Sequence, residues 1–200
     1  MSTIRKICVY CGSGPGKDPA FVQAAQTLGK ILAQNHVGLV YGGGDIGLMG
    51  ALATAVLDHG GKVTGVIPQF LIGRELALKR GELIVTRDMH ERKQKMFELA
   101  DAFVALPGGV GTLEELVEQM TWVQLGRHRK PILLANISGF WDPLCALLDH
   151  MATLEFIRPE LTVDYLAADR VEDILPKLRE ALRKVTETEK QMAPAVIERL

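Results

Sequence analysis

This sequence predicts a single doubly wound α/β domain: a mostly parallel sheet of about six or seven strands with helices on both faces. Three observations carry the prediction. Short apolar runs of three to five residues alternate with longer stretches of helical period. Glycine clusters follow three of those runs and precede a helical stretch. No repeat, low-complexity tract or linker interrupts the 200 residues. Short runs that are apolar throughout suit strands covered on both sides.

Residues 7–10 read as the first strand, 12–16 as a Gly-Ser-Gly-Pro-Gly loop and 19–34 as a helix. Residues 37–41 form the second strand, Gly42-Gly43-Gly44 the second glycine loop and 46–59 the second helix. A third strand is expected at 63–67, a fourth at 83–85, and a helix at 89–100. Residues 102–106 are the fifth strand and 112–125 the next helix. Strands at 132–135 and 161–163 complete the sheet, with a helix from Trp141 between them. An amphipathic helix at 171–184 closes the domain, which is expected to span 1–185. The polar residues 186–200 read as a tail that frays.

The composition narrows the function. Hydrophobic residues are 48% and charged residues 24%, as in an ordinary globular domain. Lys+Arg is 23 and Asp+Glu is 24, for a net charge of −1. A nucleic-acid binder needs a basic excess to neutralise phosphates, so that class is disfavoured. No stretch approaches the roughly 20 apolar residues of a membrane span, and the first residues show no signal-peptide pattern. Three cysteines cannot all pair, which fits a reducing cytoplasm. Cys8 and Cys11 spell C-x-x-C, but the pair starts inside a strand rather than at a helix N-terminus, and reads as structural. The five histidines show no metal-ligand spacing, so no metal site is expected.

In a parallel sheet, ligands gather at the carboxyl ends of the strands, where all three glycine loops lie. Gly42-Gly43-Gly44-Asp45-Ile46-Gly47 matches G-x-G-x-x-G. A dinucleotide would also need an acidic residue about 20 positions on. Residues 60–70 contain none, and the loop follows the second strand rather than the first. A triphosphate loop ending at Gly16-Lys17 would need Gly at 11 and Ser or Thr at 18, where Cys11 and Asp18 stand. What survives is a phosphate held by backbone donors, or glycines that merely make tight turns.

Two further segments keep two readings each. Thr112 and Glu115 in Pro107-Gly108-Gly109-Val110-Gly111-Thr112-Leu113-Glu114-Glu115 have the spacing of a capping box. Alternatively, the carboxylate faces a sugar or a water. Met89, Met96, Phe97 and Ala100 share a helix face with Lys93, and Arg92 lies beside it. Either Lys93 snorkels to solvent, or Arg92 and Lys93 reach an anion at the rim.

The segment from Pro107 to Glu115 is similar to the PGGxGTxxE signature of the Lonely Guy (LOG) family. Met89-His90-Glu91-Arg92-Lys93 resembles that family's arginine–lysine helix. Tyr41-Gly42-Gly43-Gly44 with Gly47-Leu48-Met49-Gly50, and Cys11-Gly12-Ser13, resemble its other glycine loops. The resemblance runs from about Ile4 to the closing helix. It implies a Rossmann-like fold and a cytokinin-activating phosphoribohydrolase without metal or organic cofactor. Such an enzyme cleaves N6-substituted adenosine 5′-monophosphates to the free base and ribose 5-phosphate. It also implies a homodimer or higher oligomer with sites near the subunit interface, and Met120, Trp122 and Val123 offer an apolar face.

Position by position, the resemblance makes Arg92 and Glu115 the catalytic pair. Lys93, Gly109, Val110, Gly111, Thr112, Leu113, Glu114, Glu115 and Thr121 would line the substrate site, with Arg92. Glu75 would be a further contact, although residues 73–87 match the pattern only with a gap. Ser13, Gly43 and Gly44 would hold the phosphate. The chemistry suits these types: N-glycoside cleavage passes through an oxocarbenium-like sugar, which a carboxylate stabilises while it activates water. Expected in a helix's first turn, Glu115 would be favoured as carboxylate by the helix dipole. Arginine stays protonated and serves to orient anions.

Two other classes remain. A nucleotide or molybdenum-cofactor carrier could use the same glycine rim, but has no need of both Arg92 and Glu115. A pyridoxal-phosphate decarboxylase, as members of the family are often labelled, would need a Schiff-base lysine in the site.

Overall fold

Strand β1 (Lys6–Tyr10) shows why the sheet must be covered twice. Ile7 and Val9 join one core cluster, Cys8 and Tyr10 the opposite one, and all four are buried. The remaining strands are β2 (Gly38–Tyr41), β3 (Val63–Pro68), β4 (Glu82–Thr86), β5 (Ala102–Ala105), β6 (Ile132–Ala135) and β7 (Leu166–Ala168). The helices are α1 (Pro19–Gln34), α2 (Gly47–Asp58), α3 (Met89–Leu99), α4 (Val110–Gln124), α5 (Asp142–Thr153) and α6 (Ile174–Ile197). The computed structural model describes residues 3–72, 80–157 and 164–197.

The seven strands run in the order β4-β3-β2-β1-β5-β6-β7, every neighbouring pair parallel. The chain winds outward from β1 to one edge, then returns to β5 and winds to the other. The winding direction therefore reverses between β1 and β5, where a crevice opens at the strand ends. Val9 pairs with both Tyr41 and Val104, so β1, β2 and β5 end level and their three glycine loops share one rim.

Helices α1, α2 and α6 cover one face through Leu28, Leu32, Leu52, Val56, Leu175 and Leu178. Helices α3, α4 and α5 cover the other through Met96, Leu116, Met120 and half-buried Leu144 and Leu148. Two helix starts are fixed by aspartates. Asp18 accepts from the Ala20 N–H at 2.9 Å ahead of Pro19, and Asp88 accepts from the Glu91 N–H at 2.9 Å. Helix α4 begins differently, at Gly109, with no side-chain cap.

Several expectations are corrected. Helix α4 starts at Val110, two residues before the expected 112, so Thr112 and Glu115 do not form a capping box. Glycine at the cap position supplies the turn without a hydroxyl. Glu115 consequently lies in the second turn, where no free helix N–H is left to donate to its carboxylate. The expected strand at 161–163 lies outside the described residues, and the seventh strand is Leu166–Ala168. Helix α6 starts at Ile174, after a single 3-10 turn at Val171–Asp173. It continues through Thr186 to Ile197, a stretch rich in the helix formers Glu187, Glu189, Lys190 and Gln191. Met120 is fully in the core, and Trp122 and Val123 are half-buried against it, so they are not the open apolar face expected. The exposed apolar stripe of α4 is instead Val110, Leu113 and Val117.

Candidate active site

The cleft at the switch point is assembled by glycines that let three loops touch. The Gly12 N–H donates to the Pro107 carbonyl at 3.1 Å, and the Leu48 N–H donates to the Gly12 carbonyl at 3.1 Å. A Cβ on Gly108 would strike Thr112 and come within 2.9 Å of the Gly12 nitrogen. Gly47 has φ +59°, and a Cβ there would enter the Ser13 backbone. These glycines are therefore required by packing. Gly109 and Gly111 differ: nothing stands within 4 Å of where their Cβ would be. Both face the open cleft beside the uncapped N–H groups of α4.

The cleft has a volume of about 350 Å³. Its wall includes Tyr10 at the end of β1, Gly12, Ser13 and Gly42 from the first two loops, and Met49 of α2, with Leu71 and Met89. Gly109, Val110, Gly111 and Thr112 close the side formed by α4. Arg92 and Glu115 form the floor, each only 8% exposed.

Arg92 is on the buried face of α3 with Met96, four residues on. Its Nε donates to the Val66 carbonyl at 3.1 Å, and its Nη1 lies 2.7 Å from Glu115 Oε1. At that distance the guanidinium charge favours the carboxylate form of Glu115. Gly42 makes room for the guanidinium: a Cβ there would sit 2.6 Å from Arg92 Nη2. Burial raises the Glu115 pKa above the usual glutamate range; Arg92 opposes it, and burial prevails. Burial likewise pushes the neighbouring Cys8 and Cys11 thiols up, so both stay protonated. The two cysteines belong to core clusters on opposite faces of the sheet and are free thiols.

The sequence-predicted site residues separate into two groups. Ser13, Arg92, Gly109, Val110, Gly111, Thr112 and Glu115 come together in the cleft. Lys93 does not face it. Its Nζ is 2.7 Å from Glu114 and 2.9 Å from Glu118, beside a second cleft with Arg87, His90, Trp122 and Arg127. Leu113 and Glu114 lie outside the cleft lining, and exposed Thr121 donates to the Val117 carbonyl at 2.8 Å. Gly43 and Gly44 are buried behind Gly42; Gly43 has φ +82° and its Cβ position is packed against Ile67. Glu75 lies outside the described residues. Gly42, Met49, Leu71 and Met89 were not singled out as lining residues. Gly42, Met49 and Met89 carry a sequence signal, their place in segments that resemble family motifs; Leu71 carries none.

No cluster of His, Cys, Asp and Glu among the described residues could hold a metal ion, and no described helix is long and apolar enough to cross a membrane.

A family model described as "possible lysine decarboxylase" matches residues 49–178. The chain is 47% identical over 180 residues to the cytokinin riboside 5′-monophosphate phosphoribohydrolase LOG of Oryza sativa subsp. japonica. That match covers 90% of this chain and 74% of the rice protein. It is 45% identical to the cytokinin riboside 5′-monophosphate phosphoribohydrolase LOG7 of Arabidopsis thaliana, covering 90% of this chain and 83% of that one. Among solved structures, the molybdenum cofactor binding protein of Rippkaea orientalis superposes with a TM-score of 0.67 at 20% identity. That superposition covers 90% of this chain and 98% of the other. At that identity the likeness shows the fold alone. With its identity to the plant proteins spanning nine-tenths of its length, the chain belongs to the Lonely Guy (LOG) family.

Proposed function

We propose that this protein hydrolyses the N-glycosidic bond of N6-substituted adenosine 5′-monophosphates, releasing the base and ribose 5-phosphate. The observation that carries this reading is the buried Arg92–Glu115 pair at the floor of a cleft walled by the uncapped start of α4. A cleft of about 350 Å³ is of nucleotide size. The free N–H groups after Gly109, with Ser13 across the cleft, suit a 5′-phosphate. Glu115 in its ionised form stabilises the developing oxocarbenium and takes a proton from the attacking water. Arg92 cannot donate a proton at ordinary pH. It holds Glu115 in place and offers its remaining N–H groups to the sugar or phosphate. The plant relatives act on cytokinin riboside 5′-monophosphates by name, which favours a cytokinin-type base here.

A carrier of the kind with the same fold would need the rim but not this pair. A pyridoxal enzyme fits poorly, because no lysine lines the cleft among the described residues. Assembly belongs to the same reading: the α4 stripe of Val110, Leu113 and Val117 is the face offered to a second copy. Its free thiols suit a reducing cytoplasm.

The test is base release from N6-isopentenyl-AMP, its riboside and plain AMP. The monophosphate should be cleaved and the riboside spared; equal cleavage of the riboside would remove the role given to the rim. Glu115→Gln should lower turnover a hundredfold or more, on the order of 3 kcal/mol of transition-state stabilisation.

A further inference from the structure

Two consecutive cations of α3 meet three carboxylates of α4. Arg92 takes Glu115 inside the cleft, while Lys93 turns away and bridges Glu114 at 2.7 Å and Glu118 at 2.9 Å. The Lys93 side chain is 13% exposed and Glu118 22%, whereas Glu114 is half in solvent. Glu118 is therefore the better-sequestered partner, and its second oxygen is buried without a hydrogen bond. For Lys93 to reach a ligand in the main cleft it would have to leave both carboxylates.

We propose that Glu118 is a positioning residue for the catalytic pair. By holding Lys93 against α4, it keeps that lysine out of the cleft and sets how much of its positive charge Glu115 feels. This rests on the reading of Glu115 as the catalytic carboxylate.

The electrostatics around Glu115 agree. From α3 it is faced by Arg92 and Lys93, which favour its ionised form; on its own helix Glu114 disfavours it. From β1 come Cys8 and Tyr10, and from the loop beyond it Cys11, all kept neutral by burial. Lys93 is pulled two ways: burial disfavours its charge, but Glu114 and Glu118 outweigh burial and hold it protonated. Among the described residues, the ionic groups of α3 and α4 thus set the charge at Glu115, and Glu118 reaches it through Lys93.

The sign follows. Removing the Glu118 charge leaves Lys93 less compensated, so Glu115 ionises more easily. Glu118→Gln should move the acid limb of the kcat/KM–pH profile to lower pH by about half a unit. Lys93→Met should move it to higher pH, and Glu118→Asp should restore the original limb. An independent readout is the Glu115 carboxyl titration by 13C NMR, assigned by its loss in Glu115→Gln. It reports the same shifts even if no nucleotide is cleaved, so failure of the proposal and of the proposed activity are separable. Shifts in the stated directions support the proposal. An unmoved Glu115 titration in folded Glu118→Gln, or a shift to higher pH, overturns it. So does loss of folding in Glu118→Gln together with an unmoved titration in Lys93→Met.

Discussion

Gly42 and Gly109 lie on the same cleft, yet they are glycine for opposite reasons. An added Cβ at Gly42 would meet Arg92 Nη2 at 2.6 Å and Met49 Sδ at 3.1 Å. The guanidinium, held by Val66 and Glu115, would be pushed from its partner. Gly42→Ala should therefore lower turnover at least tenfold, at a stability cost of about 1 kcal/mol, read by steady-state kinetics beside thermal unfolding. At Gly109 the same Cβ meets nothing within 4 Å. Gly109→Ala should leave stability within about 1 kcal/mol of the parent and raise KM for the monophosphate. A Gly109→Ala enzyme with parental KM would mean that no ligand occupies that space. Glu115 adds a pH dependence. Burial raises its pKa, so as pH falls the carboxylate gains its proton earlier than a free glutamate would. The kcat/KM of the wild type should decline on an acid limb above the usual glutamate range, and a flat profile from pH 5 to 8 would argue against a base role. The stability sign is opposite. With the folded pKa above the unfolded one, the Glu115 contribution is most favourable at low pH and is lost as pH rises through the folded value.

At the scale of elements, the rim depends on α2 and α4 starting where their loops can touch. Gly47, the first residue of α2, has φ +59° and lies against the Ser13 backbone, which cannot rotate away as a side chain could. Gly47→Ala should cost roughly 2–4 kcal/mol, measured by chemical denaturation; a parental midpoint would show that the two loops do not pack as described. This element-level logic also explains what the sequence made legible. Strands β1, β2, β3, β5 and β6 were readable because buried strands are apolar along their whole length, as in Ile132-Leu133-Leu134-Ala135. β7 was not, because Leu166-Ala167-Ala168 is three residues long with no β-branched side chain, and only its pairing with β6 identifies it. The start of α4 was misplaced because Thr112 and Glu115 imitate a capping box, whereas glycine caps leave no side-chain signature. Periodicity also put Lys93 with the apolar residues of α3, and it could not show that Arg92 takes the buried place beside Met96. Sequence order cannot reveal that Glu118 reaches back to Lys93.

At the scale of the whole molecule, the described residues leave one side of the candidate cleft uncovered. Val110 lines that cleft and is 84% exposed. Leu113 and Val117 follow it at i+3 and i+7 along α4, and both are exposed, while Leu116 and Met120 on the adjoining flank of the helix are buried in the core. An apolar stripe that begins at a cleft mouth would bring a second copy beside the bound nucleotide, where it would screen the cleft from bulk solvent while leaving room for the one attacking water. The protein is therefore expected to be at least a dimer in light scattering at micromolar concentration. Val117→Asp places a charge in the middle of the stripe without touching the cleft lining. Burying that carboxylate unpaired would cost several kcal/mol, enough to weaken association more than a hundredfold. The variant should run as a monomer with parental helix content by circular dichroism, and its turnover should fall because the cleft mouth has lost its cover. A wild type that is monomeric at micromolar concentration, or a Val117→Asp variant that still associates, would show that this stripe is not the interface. A monomeric variant with parental turnover would show instead that the cleft works uncovered, with Arg92 and Glu115 shielded by their own burial alone.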